Sequence, residues 1–277
     1  IKIKTMKTYF PNLLAAVLAC CFAVSASSVL ATSCSFIKDQ NIETTGPVAK
    51  VNRNLTNFNS IDVCCGFKVS LRMGSADSVV VEAAESLMPY IETFVKEGKL
   101  VIRIKPDYRF KSIQAKDKPH IYISARNLNE IDASGGSSIN TVGSIRSDKF
   151  DLSLSGGSIF TGELAAQNID CDLSGGATAE LIANALKFEI DLSGGSIINL
   201  SGNSERFDAE GSGGAILNAY NFSTDRTQLS LSGGSTAKVW VNKTLKVDAS
   251  GGSGVYYKGI GVVTSQLSGG SGVKQVK

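Results

Sequence analysis

The sequence predicts an all-β protein: a right-handed parallel β-solenoid of about eight rungs behind an irregular, β-rich N-terminal cap. The first observation is a repeat, because Ser-Gly-Gly followed by Ser or Ala recurs eight times at spacings of 18 to 21 residues. The copies begin at Ser134, Ser155, Ser174, Ser193, Ser212, Ser232, Ser250 and Ser268. A unit this short cannot bury an apolar face alone, so a repeat of this period is typical of stacked solenoids.

The second observation is alternation around each copy. The residues one, three and five positions before the serine are mostly apolar, whereas the positions between them are polar. The members five positions before it include Phe150, Ile169, Phe188 and Phe207. Alternation with a period of two predicts a strand with one buried face and one wet face. Each rung is therefore expected to be a strand, a Gly-Gly corner, a second strand and a return turn.

The Gly-Gly pairs have a physical reason. A sharp corner between two strands needs a positive φ angle or a close backbone approach, and glycine provides both without a Cβ penalty. No proline follows Pro119, as expected where each rung donates backbone hydrogen bonds to its neighbours. The right-handed sense is expected because parallel crossovers nearly always take that hand.

The segment 55–128 lacks the Gly-Gly pairs but is also rich in strand patterns. Strands are predicted over 61–71, 78–82, 100–105 and 121–125, and a short helix or turn over 86–96. An unpaired end of a solenoid is an aggregation edge, so these residues are interpreted as irregular first rungs or a cap. Together with the repeats over 129–277 they form a single predicted domain, 55–277.

The N-terminal residues 1–33 are interpreted as a secretory signal peptide. Their long apolar run ends in small residues, and a membrane anchor is the competing interpretation. Leu30-Ala31-Thr32-Ser33-Cys34 fits a lipoprotein box, which predicts a lipidated Cys34; the alternative is an ordinary signal with an incidental cysteine. The polar residues 34–54 are then expected to be a linker or tether.

Charge and cysteine content exclude some classes. The net charge of +3 comes from three lysines within the predicted signal, so the remaining chain has 25 basic and 25 acidic residues. No basic stripe or aromatic stacking platform is present, which argues against a nucleic-acid partner. Cys64, Cys65 and Cys171 match no metal motif. A strand would point Cys64 and Cys65 to opposite faces, so a bridge between them would be strained. All three cysteines are therefore interpreted as ordinary buried or half-buried thiols.

Acidic residues recur at the outward positions two and four before each serine. In the central copies these are Asp170, Asp172, Glu189, Asp191, Asp208 and Glu210. If the rungs stack in register, these carboxylates form columns with neighbours about 4.8 Å apart. The columns are interpreted as a solvated face that opposes lateral stacking, or as a Ca²⁺ site, since Ca²⁺ prefers oxygen ligands. Docking of a basic partner is a third possibility.

Two further features bear on chemistry. Tyr220 and Trp240 share the position eight after the serine, and they are interpreted as edge packing or as a platform for stacking carbohydrate. His120 is the only histidine and stands before the repeats, so it is interpreted as structural. No catalytic residues are predicted, although parallel β-helices also include enzymes.

The N-terminal block also resembles a known family. Phe58-Asn-Ser-Ile61-Asp-Val63, Gly66-Phe67-Lys-Val69-Ser-Leu71, Val79-Val80-Val81-Glu82-Ala83 and Gly98-Lys-Leu100-Val101-Ile102 precede the Ser-Gly-Gly repeats. This arrangement, over about 55–275, is similar to the auto-transporter adhesin family with the head GIN domain, found chiefly in Bacteroidetes. The resemblance implies a β-helical superhelix, no recognised catalytic residues and a role in cell adhesion. It assigns no binding residues.

These observations together predict an envelope-anchored, non-catalytic binding module. It would be exported to the outer membrane or cell surface, or to the periplasm, and held by an N-terminal lipid. Its expected partner is a surface ligand, either glycan or protein. The alternatives are a carbohydrate-binding or carbohydrate-active β-helix, and a structural or regulatory envelope protein. A groove with convergent carboxylate and basic groups would favour an enzyme.

Overall fold

The computed structural model describes residues 46–108 and 118–277, which form one 17-stranded β-structure. The strands are β1 (Val48–Asn52), β2 (Ser60–Val63), β3 (Lys68–Met73), β4 (Ser78–Ala84), β5 (Ile91–Lys96), β6 (Lys99–Ile104), β7 (His120–Ala125), β8 (Glu130–Ala133), β9 (Ser138–Leu154), β10 (Ile159–Leu173), β11 (Thr178–Leu192), β12 (Ile197–Gly211), β13 (Ile216–Leu231), β14 (Thr236–Ala249), β15 (Gly254–Lys258), β16 (Val262–Leu267) and β17 (Gly272–Gln275). A 3-10 turn, Met88–Tyr90, is the one helical element among these residues.

The repeats form the predicted β-solenoid of about eight turns. Each of the long strands β9 to β14 runs from one Gly-Gly corner to the next and pairs in parallel with the rungs above and below it. The register follows the sequence repeat, so that Phe150, Ile169, Phe188 and Phe207 are aligned on successive rungs. The all-β solenoid predicted from the repeat is therefore confirmed.

Glycine is required at the corners because the rungs stack closely there. Gly194 has a φ of 68°, and a Cβ on it would lie 2.9 Å from the carbonyl oxygen of Gly175 on the preceding rung. The next residue, Gly195, donates its N–H to that same oxygen at 2.8 Å. The fourth corner residue points inward, where Ser253 donates its hydroxyl to the Ser250 carbonyl at 2.7 Å.

Aromatic side chains fill the middle of the core. The rings of Phe188, Phe207 and Phe222 are fully buried and lie 5.4 to 5.7 Å apart between centroids. Phe222 follows an irregularity in the pairing of β12 with β13, where the rung carries an extra residue. On that rung the aligned core position is Thr227, whose hydroxyl lies 2.6 Å from that of Thr224. On this longer rung, the aromatic ring of the core therefore comes from Phe222 instead of from the aligned position, which is Thr227.

The cap consists of two further rungs and three antiparallel strands. Strands β2 and β3 stack on β8 and β9, and strands β6 and β7 stack in parallel on β2 and β3. Strand β5 pairs antiparallel with β6, while β4 pairs antiparallel with β7 and β1 with β4. The N-terminal residues therefore form irregular first rungs and cap the open end of the solenoid, as the sequence predicted.

Three predicted boundaries are corrected, two within the cap and one in the tether. The predicted strand 61–71 is interrupted, because Cys64-Cys65-Gly66-Phe67 forms a corner aligned with the Gly-Gly corners. The predicted helix or turn 86–96 is a 3-10 turn over Met88–Tyr90. The remainder, Ile91–Lys96, is strand β5, because its β-branched residues pair with β6. The predicted tether 34–54 includes strand β1, since Val48–Asn52 completes the edge of β4.

The signal peptide, Cys34 and the first part of the tether lie outside the described residues and stay predictions. Within the part of the chain that the structure describes, no helix is long and apolar enough to cross a membrane.

Candidate functional site

The acidic face lies on the strands that precede the corners. We define the near acidic column as Asp172, Asp191 and Glu210, which the strand register aligns on three successive rungs. The far acidic column, two residues further from the corner, contains Asp170, Glu189 and Asp208 in the same register. The structure therefore brings together all six predicted site residues, because the strand register equals the sequence repeat.

A basic column, which the sequence analysis did not identify, neutralises the far acidic column. Lys149 lies 2.8 Å from Asp151 and 3.0 Å from Asp170, and the two carboxylates raise its pKa. The pairs Lys187–Glu189 at 2.6 Å and Arg206–Asp208 at 2.8 Å continue the pattern. Each of these cations stands six positions before the serine of its own corner. The repeat alignment that revealed the acidic columns therefore also contained the basic column.

The near acidic column has no such partners. Within the described part of the chain, no ion pair reaches Asp172, Asp191 or Glu210. Partial burial against the sheet and the neighbouring carboxylates raise the pKa values of Asp172 and Asp191. The column borders a shallow depression of about 530 Å³ beside the serine corners. It is thus the more strongly anionic strip of this face.

The geometry bears on the predicted Ca²⁺ site. Among residues 46–108 and 118–277, no three His, Cys, Asp or Glu side chains converge on a point that could hold a metal ion. The columns instead spread their carboxylates one rung apart. The Ca²⁺ site stays a prediction.

A lysine closes the N-terminal end of the acidic face. The Lys99 Nζ lies 2.7 Å from both the Glu130 and the Asp132 carboxylates, and Ser60 donates a hydrogen bond to Glu130 at 2.8 Å. The Asp132 and Glu130 carboxylates raise the pKa of Lys99, and Lys99 in turn lowers the pKa of Glu130. The like-charge repulsion is therefore relieved where the repeats meet the cap.

The opposite sheet, formed by the strand halves that follow the corners, contains a groove of about 680 Å³. Five of its outward side chains are aligned in register on successive rungs: Thr161, Glu180, Asn199, Asn218 and Lys238. Asn218 donates its side-chain amide to Asn199 at 3.0 Å. The sequence analysis did not predict this groove, whose lining includes Gly143 and Gly162.

Aromatic residues border the C-terminal end of the groove. Tyr220 lines it, and the Nζ of Lys258 lies 5.5 Å from the centroid of its ring and 4.7 Å from that of Trp240. Trp240 remains 38% exposed. A bulge between Ala219 and Ser223 separates the two rings that share an alignment position. They are thus linked through a lysine rather than by direct stacking.

The remaining sequence-predicted residues are packed in the structure. His120 stacks on Tyr122 at 4.2 Å between centroids, and its Nε2 lies 2.8 Å from the Ser70 hydroxyl. Burial lowers the His120 pKa, and it lines neither the groove nor the depression. Cys171 is buried in the core, which raises the pKa of its thiol.

These features define a class: a β-solenoid with a charge ladder on one sheet and a groove on the other. The chain belongs to the family described as "putative auto-transporter adhesin, head GIN domain", which matches residues 57–199 and 179–261. The resemblance seen in the sequence is thereby confirmed.

Solved structures share the fold. A putative adhesin from Parabacteroides merdae has a TM-score of 0.78 at 19% identity, covering 84% of this chain and 97% of its own. A putative adhesin from Parabacteroides distasonis has a TM-score of 0.79 at 20% identity, with 84% and 98% covered. A putative lipid binding protein from the same species has a TM-score of 0.77 at 16% identity, with 84% and 98% covered. No curated protein matched the sequence.

Proposed function

We propose that the chain is an envelope-anchored, non-catalytic binding module that acts in cell adhesion through its solenoid surface. The groove carries this proposal. Its aligned polar side chains, from Thr161 to Lys238, recur at the strand spacing over roughly 19 Å. Hydrogen-bonding groups at such regular intervals suit an extended ligand that runs along the solenoid axis.

The arrangement of charge in the groove supports binding over catalysis. Lys238 on β14 is three strands from Glu180 on β11, or roughly 14 Å by strand spacing. Acid–base catalysis requires groups within hydrogen-bond reach of the same reacting atoms. Lys238 is three strands from Glu180 and four from Glu163, the two carboxylates that line the groove, so it does not converge with either of them in this way.

A glycan is one candidate for this extended ligand. Asn199, Asn218 and Glu180 offer planar hydrogen-bonding groups, and Tyr220 lines one end, where Lys258 links its ring to that of Trp240. Amide and carboxylate groups bind sugar hydroxyls, while aromatic faces pack against sugar rings. This proposal concerns binding, and no hydrolysis is proposed.

The test is retention of the full-length protein on immobilised glycans and extracellular matrix proteins. We expect the double variant Asn199→Ala/Asn218→Ala to lose at least tenfold in affinity for whichever surface retains the wild type. Lys246→Ala is the matched control, since this exposed residue lies on the other sheet beside Asp248. Equal retention of all three proteins would refute the groove as the binding surface. Release of shortened glycans would contradict the non-catalytic assignment.

Localisation requires a separate experiment. Intact cells would be labelled with a membrane-impermeant amine reagent, followed by mass spectrometry of the protein and of its N-terminal peptide. Labelling together with a lipidated Cys34 would support a displayed lipoprotein. Labelling only after lysis would place the protein in the periplasm and would overturn the adhesion proposal.

A further inference from the structure

The first corner of the solenoid differs chemically from all others. Its turn is Cys64-Cys65-Gly66-Phe67, and it stacks against the next corner, where a Cβ on Gly135 would lie 3.0 Å from the Cys65 nitrogen. Cys65 has a φ of 72°, in the left-handed region that the first glycine of each later corner occupies. A residue with a Cβ pays roughly 1–2 kcal/mol for this conformation. A cysteine therefore stands where the fold favours glycine.

The corner brings the two sulfurs together. In a regular strand, Cys64 and Cys65 would point to opposite faces, but here their Sγ atoms are 2.8 Å apart. Cys65 is exposed and Cys64 is half-buried. The sequence alone suggested that a bond between these adjacent cysteines would be strained. The left-handed backbone at Cys65 removes this geometric objection.

The surroundings of Cys65 favour its thiolate. The two thiols share a hydrogen bond across this contact, and together with the Ile104 N–H and the Arg103 guanidinium it lowers the Cys65 pKa to about 6, against the opposing effects of burial and Asp62. The same hydrogen bond, with burial, raises the pKa of Cys64. The thiolate is the nucleophile in thiol–disulfide exchange. One of the two sulfurs is therefore activated and the other lies beside it.

We propose that Cys64 and Cys65 are an oxidative modification site that closes to a disulfide between adjacent residues, with a small-molecule or protein disulfide as oxidant. The Cys65 thiolate attacks one sulfur of that disulfide, forming a mixed disulfide and releasing one thiolate. Cys64 then loses its proton to solvent and attacks the Cys65 Sγ, releasing the second thiolate. Two electrons pass to the oxidant, which becomes two thiols. The resulting ring fixes the turn in which Cys65 is held.

The test uses the full-length protein, reduced and then exposed to oxidised glutathione without denaturant. Free thiols are alkylated afterwards, and mass spectrometry gives the mass of the tryptic peptide 54–68. This peptide contains no other cysteine. We expect this peptide to be two hydrogens lighter, with no adduct, and to take up two alkyl groups after reduction. In Cys64→Ser, a stable glutathione adduct on Cys65 is expected, because the resolving thiol is missing. Buried Cys171 is the internal control and should remain reduced.

Three outcomes would overturn the proposal: two free thiols in peptide 54–68 after oxidation, stable glutathionylation of the wild type, or a disulfide between two chains. A second measurement does not depend on the folding of a variant. Phenylarsine oxide bridges two neighbouring thiols, so we expect one arsenical per reduced wild-type chain at peptide 54–68. The absence of that adduct would show that the two sulfurs do not act as a pair.

Discussion

At the residue scale, the corner glycines set a strict steric limit. Gly251 has a φ of 71°, and a Cβ on it would lie 2.7 Å from the carbonyl oxygen of Gly233. A Cβ on its neighbour Gly252, where φ is not in the left-handed region, would lie 3.7 Å from the same atom, an ordinary contact. Two adjacent glycines in one corner therefore differ in what they tolerate.

We expect Gly251→Ala to lower the free energy of unfolding by about 2–3 kcal/mol, since left-handed strain and the overlap with Gly233 act together. Gly252→Ala should cost about 1 kcal/mol or less, as a compatible backbone tolerates alanine. Urea unfolding followed by circular dichroism measures both. Equal destabilisation of the two variants would show that corner stacking is not the limiting contact.

The inward corner serines provide a second comparison at this scale. The Ser196 hydroxyl is buried without a hydrogen-bond partner, whereas the Ser253 hydroxyl donates to Ser250 at 2.7 Å. Alanine already occupies the equivalent positions 177 and 215.

Ser196→Ala should leave stability unchanged or raise it by up to about 1 kcal/mol, because it removes an unsatisfied buried hydroxyl. Ser253→Ala should lose about 1 kcal/mol, as it leaves a carbonyl without its donor. Chemical denaturation of both variants and the wild type under the same conditions gives the sign of each change in the free energy of unfolding. A larger loss for Ser196→Ala than for Ser253→Ala would contradict the assigned hydrogen bonds.

At the element scale, the two acidic columns differ in whether neighbouring cations neutralise their charge. Asp208 of the far column accepts a hydrogen bond from Arg206 at 2.8 Å, while Asp191 of the near column has a pKa raised by partial burial and by the Glu210 and Glu189 carboxylates. A carboxyl whose pKa is raised by folding binds more protons in the native state, so its penalty grows as pH rises through that pKa. Ionised Asp191 therefore lowers the free energy of unfolding at neutral pH.

Asp191→Asn should raise the free energy of unfolding at pH 7 by a few tenths of a kcal/mol, because the exposed site is screened. The gain should disappear near pH 3, where the wild-type carboxyl is protonated. The matched variant Asp208→Asn removes an ion pair and should give no gain at pH 7. Thermal unfolding at both pH values tests this, and a gain that persists at pH 3 would exclude charge repulsion as its cause.

The predicted Ca²⁺ site can be tested on the same variants. If the near acidic column binds the ion, millimolar Ca²⁺ should raise the melting temperature of the wild type but not that of Asp191→Asn, and calorimetry should record heat. No heat and no shift in melting temperature would reject the site and leave the column as a solvated, repulsive strip. Screening by an equal ionic strength of NaCl is the control.

How far the sequence predicted these elements depended on whether the information was local. The acidic columns were predicted because the strand register equals the repeat, and the basic column at Lys149, Lys187 and Arg206 was recoverable from the same alignment. The groove was not predicted, because it lies where the rungs differ in length and the register shifts, at Thr161, Asn199 and Ala219. The cap order was also hidden, since β6 stacks on β2 although β3, β4 and β5 lie between them in the chain.

At the scale of the whole molecule, the two ends of the solenoid are unequal. Strands β1, β4 and β5 cover the first rungs. At the other end, β16 pairs with β14 and β17 with β15, and Val262 and Leu267 are exposed. In a stacked array each rung is stabilised mainly by its neighbours. A terminal rung with one neighbour is therefore less stable than a central rung with two.

We expect native-state hydrogen exchange to reveal this gradient. Amides in β11 to β13, which pair on both sides, should be the most protected, and those in β16 and β17 should exchange first, by local opening. The capped β2 and β3 should be protected nearly as well as the centre, although they lie near the other end. Mass spectrometry of peptic fragments measures all these regions in one experiment. Early exchange at β2 and β3, ahead of β16, would show that the antiparallel strands pair without stabilising the end they cover.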